Sequence, residues 1–97
     1  MKTLEEITKL LTRYKQELKE RFKVKEIGIF GSSIRGEQTQ TSDLDLLVDF
    51  KDEADLFDLI GLGLFLEEQL HQKVDVVPKR ALREEIKDTI LKEVVYL

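Results

Sequence analysis

The residues best suited to chemistry in this chain are a glycine–serine pair and three aspartates. Ten residues separate Gly31-Ser32 from Asp43-Leu44-Asp45, and Asp75 interrupts a later run of valines. Carboxylate oxygens are ligands that Mg²⁺ prefers, and a pair of such ions is the usual apparatus for displacement at phosphorus. A glycine–serine turn at the start of a helix offers backbone N–H groups and a hydroxyl to phosphate oxygens. The combination predicts a magnesium-assisted reaction at a phosphate group.

Each feature has a simpler interpretation when it is taken alone. Glycine–serine turns are common, and an isolated Asp-x-Asp is more often the solvent-facing side of a half-exposed strand. Asp75 could be a charge that protects the edge of a sheet against association with another strand. The conjunction at this spacing, in the order strand, turn, short helix, loop and strand, favours a functional site.

Hydrophobic periodicity indicates the elements that must position these residues. It predicts helices over 3–22, Leu56–Leu70 and from about 81 onwards, strands over 24–30, 43–50 and 73–77, a tight turn with one helical turn over 31–36, and a polar loop over 38–42. Thr3 followed by Glu6 has the form of a capping box. The order α-β-α-β-α-β-α predicts an α+β fold, a mixed two-layer structure in which helices pack on a small three-stranded mixed sheet. The last two strands are joined by a helix and should be parallel.

Composition excludes several classes of protein. The 97 residues contain no cysteine and one histidine, which excludes disulfide scaffolds, cysteine nucleophiles and multi-histidine metal sites. The net charge of −4 disfavours direct nucleic-acid binding. No apolar run reaches the length of a membrane span and no secretory leader is visible, so we expect a cytoplasmic protein that does not bind membranes.

These motifs resemble those of the minimal nucleotidyltransferases (MNT) of the DNA polymerase β superfamily. The pattern of that family is G-S-x10-D-x-D with a third aspartate on a later strand. The segments 30–36, 42–48 and 73–77 of this chain carry the match. The resemblance extends over nearly the whole chain and implies one nucleotidyltransferase domain over 1–97.

The resemblance implies that a hydroxyl attacks the α-phosphorus of ATP and that pyrophosphate leaves. By that similarity Asp43 and Asp45 would bind Mg²⁺, and Asp75 would help to bind the ion that activates the hydroxyl. These three aspartates are the expected catalytic and metal-binding residues, with two ions expected.

The resemblance also implies a nucleotide-binding set. Gly31 and Ser32 would bind the β- and γ-phosphates, and Arg35 is a further expected phosphate contact. The alternative for Arg35 is a surface cation that pairs with Glu37 or another nearby carboxylate.

The acceptor is expected to come from a partner. Family members of this length are commonly the antitoxin half of two-gene HEPN/MNT modules, in which AMP from ATP is transferred to a tyrosine of the HEPN ribonuclease toxin. Two alternatives are a binding-only antitoxin, which occludes its partner through an apolar helix, and a nucleotidyltransferase acting on a small molecule. The helix Leu56–Leu70 is apolar on nearly every side, so it is either the central core helix or a face for a partner or a second copy. Gly61 and Gly63 would permit close helix approach.

Overall fold

The order of helices and strands follows the predicted one and extends it. The computed structural model describes residues 3–36 and 43–97. The predicted loop over 38–42 and Glu37 lie outside the described residues. The described elements are α1 (Leu4–Arg21), β1 (Val24–Phe30), α2 (Ser32–Arg35), β2 (Leu44–Phe50), α3 (Leu56–Leu70), β3 (Val74–Pro78), a 3-10 turn (Lys79–Ala81), α4 (Glu84–Glu93) and β4 (Val95–Tyr96).

The N-terminus of α1 carries the predicted capping box. The Thr3 hydroxyl accepts a hydrogen bond from the Glu6 N–H at 3.1 Å, and the Glu6 carboxylate accepts one from the Thr3 N–H at 3.2 Å. The same reciprocal arrangement begins α3, between Asp55 and Asp58. Both caps satisfy backbone donors that the first turn of a helix leaves unpaired, and so they fix where the two long helices begin.

The sheet has four strands in the order β3-β2-β1-β4. Strands β2 and β3 pair in parallel, as the helix between them predicted, whereas β1 is antiparallel to both β2 and β4. The prediction of three strands is wrong because the helical periodicity continues through Val94, while α4 ends at Glu93 and the chain becomes extended. Gly28 makes room for this change, since a Cβ there would lie 2.6 Å from Val94 Cγ2 and 3.1 Å from the Tyr96 ring.

The hydrophobic core lies on one face of the sheet, beneath α1 and α3. Side chains alternate along β2, and its four even-numbered residues are buried in this core. Its members include Ile7, Leu11 and Leu18 of α1, Ile27 and Ile29 of β1, Leu44, Leu46, Val48 and Phe50 of β2, and Leu62, Leu66 and Leu70 of α3. The odd-numbered residues of β2 are therefore left for the opposite face, where the aspartates lie.

Helix α3 is a core helix on one side, as one of the two interpretations predicted, and exposes apolar side chains on the other. Leu62, Leu66 and Leu70 are fully or almost fully buried. The outer side carries an apolar strip, which consists of Leu56, Phe57, Ile60 and Leu64, all exposed. Pairing of two copies through this helix stays a prediction.

Gly61 lets α3 pack closely on the end of α1. A Cβ on Gly61 would lie 3.1 Å from the Phe22 ring, so the absence of a side chain allows the helix to approach that ring. Gly63 has a looser environment, with Val76 Cγ2 at 4.0 Å from the corresponding position. None of the helices within 3–36 and 43–97 is both long enough and apolar enough to cross a membrane.

Candidate active site

Two of the three predicted aspartates lie side by side. The parallel register of β2 and β3 makes Asp45 the direct neighbour of Asp75. Neighbouring strands are about 4.8 Å apart, so the two carboxylates occupy adjacent positions on one face. Asp43 is exposed and precedes β2 by one residue, and because side chains alternate along a strand it belongs to the same side as Asp45. The chain thus brings its three predicted acidic residues to the N-terminal ends of β2 and β3.

The glycine–serine turn touches this group of aspartates. Phe30, the last residue of β1, pairs with Asp45, so the turn that follows begins beside that carboxylate. Gly31 has φ +82° and ψ −149°, a conformation that side chains other than hydrogen strongly disfavour. A Cβ at Gly31 would lie 3.0 Å from Asp45 Cγ and closest to Oδ2. The missing side chain therefore allows the glycine–serine turn and the acidic pair to be adjacent.

Helix α2 is one turn long and is fixed at both ends by glycine. The Gly31 carbonyl accepts hydrogen bonds from the N–H groups of Ile34 at 3.1 Å and Arg35 at 3.2 Å. Gly36 closes the turn with φ +73°, as predicted for a glycine at this position. Ser32 is half-buried at the start of the turn, where its hydroxyl and backbone N–H lie within the segment expected to meet phosphate.

Sequence reasoning missed Ser33, which is buried although Ser32 is not. Its side chain is 8% exposed, and its Oγ has no hydrogen-bond partner among the residues that the structure describes. A buried hydroxyl without a partner costs free energy, so an orphaned oxygen beside a proposed nucleotide site suits a ligand or a bridging water. The only sequence signal was its place directly after the glycine–serine pair.

The electrostatics of the site favour a cation. The pKa of Asp45 is raised above its ordinary value, first because burial disfavours the charged carboxylate and then because of repulsion from Asp75 and Asp43. Arg35 opposes this shift, and Glu93 adds to it. The carboxylates are therefore close enough to repel one another, and a divalent cation among them would relieve that repulsion.

Arg35 forms an ion pair with a carboxylate, as its alternative interpretation predicted, but the sequence did not identify Glu93 as the partner. Its Nη1 lies 2.6 Å from Oε1 of Glu93, in the last turn of α4. The alternative interpretation of Arg35, a cation paired with a nearby carboxylate, thus holds for Glu93. The expected role of Arg35 as a phosphate contact stays a prediction.

The donor set of the three aspartates fits magnesium, because all three offer hard carboxylate oxygens. Within 3–36 and 43–97, however, no three histidine, aspartate or glutamate side chains converge on a single point as ligands of one ion. Asp45 and Asp75 are direct neighbours in the sheet. The assignment of all three as metal ligands stays a prediction.

Comparison with known proteins gives consistent matches. The model of the nucleotidyltransferase domain matches residues 11–97. The chain is 50% identical over 97 residues to the protein adenylyltransferase MntA of Thermococcus cleftensis, which covers 100% of this chain and 98% of that protein. A solved candidate minimal nucleotidyltransferase superposes with a TM-score of 0.79 at 35% identity, covering 94% of this chain and 95% of the other. A variant of the toxin–antitoxin complex MntA–HpeT contains a chain that matches at a TM-score of 0.68 and 27% identity, over 100% of this chain and 72% of that one.

Proposed function

This chain belongs to the nucleotidyltransferase domain family, and we propose that it is a protein adenylyltransferase that acts as the antitoxin of a HEPN-type toxin. The observation that carries the proposal is the adjacency of Asp45, Asp75 and the turn at Gly31. The proposed positions for a cation and for a triphosphate would be adjacent there, on the side of the sheet opposite the core beneath α1 and α3. The protein substrate is supported by the relative from Thermococcus cleftensis, whose length this chain matches almost completely.

In the proposed reaction, a tyrosine hydroxyl of the toxin attacks the α-phosphorus of ATP. A bond forms between the tyrosine oxygen and that phosphorus while the hydroxyl proton passes to water, the bond from phosphorus to the bridging oxygen breaks, and pyrophosphate leaves with the electron pair. Bound Mg²⁺ supplies positive charge that stabilises the charge developing on the phosphate oxygens and lowers the pKa of the attacking hydroxyl.

The side chains of this protein have separate tasks in that reaction. Asp43, Asp45 and Asp75 would hold the magnesium ions, with Asp75 next to the attacking hydroxyl. The backbone N–H groups at Gly31 and Ser32, with the Ser32 hydroxyl, would donate hydrogen bonds to the β- and γ-phosphates. Because both groups lie on rigid strand ends or on a turn fixed to β1, the α-phosphorus would be held in place between them.

A thermal-shift experiment tests the nucleotide site directly. Mg²⁺ with a non-hydrolysable ATP analogue at 100 times its Kd should stabilise the wild type by about 2.7 kcal/mol, a rise in Tm of roughly 10–20 °C for a domain of this size. The double variant Asp43→Asn/Asp45→Asn should show no such rise. Asp49→Asn, a half-exposed residue further along β2, is the matched control and should respond like the wild type. Equal shifts in the wild type and the double variant would overturn the assigned site.

Transfer itself is tested with the partner toxin and ATP labelled at the α-phosphate. The wild type should label the toxin on tyrosine and abolish its ribonuclease activity, whereas Asp43→Asn/Asp45→Asn should do neither. If ATP labelled only at the γ-phosphate also labels the toxin, the reaction is phosphorylation. That result would contradict adenylyl transfer.

A binding-only antitoxin is the second candidate, and the apolar strip of α3 favours it. Phe57 is 83% exposed and Leu64 is 64% exposed, which is unusual for large apolar side chains that serve folding alone. If occlusion is the mechanism, Asp43→Asn/Asp45→Asn should still neutralise the toxin without transferring label. In that case Phe57→Ser/Leu64→Ser should abolish neutralisation while leaving nucleotide binding intact.

A further inference from the structure

The apolar strip of α3 is continuous along the outer side of the helix. Leu56 and Ile60 are 65% and 51% exposed, beside the still more exposed Phe57 and Leu64. Positions 56, 60 and 64 follow one another at intervals of four residues, so their side chains form a single row that Phe57 widens. A row of large apolar side chains with this spacing is the surface that an amphipathic partner helix covers.

A pocket extends the apolar strip at the N-terminal end of α3. Its volume is about 320 Å³, and Leu56 belongs both to its wall and to the strip. Phe50, Ala54, Leu59 and Pro78 also line it, so its wall is mainly apolar. A pocket beside an exposed apolar row suits one bulky anchoring side chain of a protein partner.

The charges that accompany the strip are of one sign. Segment 52–70 contains no lysine or arginine and six carboxylates, which are those of Asp52, Glu53, Asp55, Asp58, Glu67 and Glu68. Asp58 is paired with Lys23 at 3.5 Å, and Glu67 accepts a hydrogen bond from a backbone N–H at 3.1 Å, whereas the other four are exposed. Arg80, the basic residue of the pocket, donates to two backbone carbonyls at 3.2 Å. The strip therefore has an acidic rim, which we define as Asp52, Glu53, Asp55 and Glu68.

This acidic rim disfavours two of the surfaces that could cover the strip. Most pairs of identical chains meet through the same patch on both copies, so a dimer through α3 would bring two acidic rims together. Like charges facing each other across an interface oppose association. Helices that lie on anionic membranes carry Lys and Arg beside their apolar face, which this segment lacks. A partner helix whose apolar side is flanked by Lys or Arg complements both the strip and its rim.

The strip and the proposed nucleotide site lie on opposite sides of the sheet. Helix α3 packs on the core face, whereas Asp45 and Asp75 belong to the other face. The helix also begins after the C-terminal end of β2, and the aspartates lie at the N-terminal end of that strand. A substitution on the strip can therefore change the affinity for a partner without touching the nucleotide.

We propose that the apolar strip and its adjoining pocket are a docking surface for a basic amphipathic helix of the protein that accepts the nucleotide. This inference rests on the proposed function, since it takes a protein acceptor as the partner. Apolar side chains of the docked helix pack on Phe57 and Leu64, and its Lys or Arg residues lie beside the acidic rim. Docking holds the acceptor close to the enzyme and takes no part in the transfer step itself.

Steady-state transfer of AMP to the partner toxin, measured at varied toxin concentration, tests the strip. Phe57→Ser/Leu64→Ser should raise the KM for the toxin about tenfold and change kcat by less than about twofold, because the strip contributes to binding alone. Ile86→Ser is the matched control, since Ile86 on α4 is 47% exposed and lies outside the strip. Both variants should bind Mg²⁺ with a non-hydrolysable ATP analogue as the wild type does, which also verifies that they are folded.

Asp52→Lys/Glu53→Lys tests the charge of the partner and leaves the apolar strip intact. At low salt this variant should associate with the toxin about tenfold more slowly than the wild type in stopped-flow mixing. The difference should largely disappear at 1 M salt, where charges are screened beyond about 3 Å. Equal association rates at low salt would mean that the docked segment is not basic, and the inference would be wrong.

The remaining outcomes separate this inference from the proposed function. If the wild type binds the toxin but transfers no label, the proposed function fails, and the binding affinities of the same variants still test the docking surface. If Phe57→Ser/Leu64→Ser leaves both KM and affinity unchanged, or lowers only kcat, the strip is not a docking surface. Sedimentation is the last measurement, because a wild-type dimer that this double variant dissociates would assign the strip to a second copy and overturn the inference.

Discussion

Replacing Gly31 with alanine should destabilise the protein through a contact with the Asp45 carboxylate. Two effects combine at this position. The backbone conformation of Gly31, with φ +82°, strongly disfavours any side chain, and the added Cβ would lie 3.0 Å from Asp45 Cγ and 3.2 Å from Asp45 Cβ. The carboxylate must therefore move, or the turn must.

The magnitude follows from these two effects. A residue held in such a backbone region costs about 1–3 kcal/mol, and forcing an extra methyl group into close packing costs roughly 1–3 kcal/mol. The middle of the summed range, about 4 kcal/mol, would lower the Tm of a 97-residue domain by roughly 16–32 °C, at about 4–8 °C per kcal/mol. This remains below the ~5–15 kcal/mol of a typical domain, so the variant should still fold at 25 °C.

Thermal and urea unfolding, followed by circular dichroism, measure this cost. Gly36→Ala is the matched control, because Gly36 also has positive φ, +73°, but no atom lies within 4 Å of the place that a Cβ would take there. Gly36→Ala should therefore cost only the backbone strain, about 1–2 kcal/mol. In an Asp45→Ala background, which removes the carboxylate, the cost of Gly31→Ala should fall towards that of Gly36→Ala.

The reasoning is refuted if Gly31→Ala costs no more than Gly36→Ala. It is also refuted if the cost of Gly31→Ala is unchanged when Asp45 is already alanine, because the two residues would then be energetically independent.

Three further predictions concern charge, helix propensity and the core. Because the folded-state pKa of Asp45 is raised above 3.8, the folded protein binds protons more tightly than the unfolded one, and this group loses its stabilising effect as pH rises through its folded pKa. The Tm of Asp45→Asn without ligand should therefore increasingly exceed that of the wild type from about pH 4 upwards, and a constant difference would contradict this. Gly63→Ala should raise the Tm by roughly 4–8 °C, since the helix interior gains about 1 kcal/mol and the new methyl group has room; a lower Tm would mean that α3 packs more tightly there. Leu66→Ala should cost about 2–5 kcal/mol in urea unfolding because Leu66 is fully buried, whereas the exposed Leu64→Ala should cost well under 1 kcal/mol.

Much of the fold was accessible from the sequence, because local signals and tertiary contacts agree. The capping residue Thr3 and the spacing of apolar residues located α1, and the β-branched run of β3 with its limiting proline located that strand. The parallel pairing of β2 with β3 followed from the intervening helix. That pairing brings the predicted acidic residues together, because its register makes Asp75 the neighbour of Asp45.

The features that were missed depend on contacts between distant parts of the chain. The run Val94-Val95-Tyr96 continues a helical period and also has high strand propensity, so local pattern alone does not decide between the two. Packing over Gly28 decides it in favour of the strand. A glycine within a strand often marks the close approach of another backbone, and this was the available signal. The ion pair of Arg35 with Glu93 could not be predicted from local sequence either, because the pairing of β4 with β1 is what brings Glu93 close to Arg35.

Among the described strand pairs, β1 and β4 have the largest separation in sequence. Strand β4 is two residues long, and pairing of Ile29 with Val95 closes a loop of about 65 residues. Such a strand should dock late in folding and detach first in the folded state, at a free energy below that of global unfolding. Its detachment would release Glu93 and loosen Arg35 while the core beneath α1 and α3 stays intact. We therefore expect the end of the molecule proposed to bind phosphate to open as a unit of its own, which would couple nucleotide affinity to a local opening equilibrium that a melting curve of the whole protein does not report.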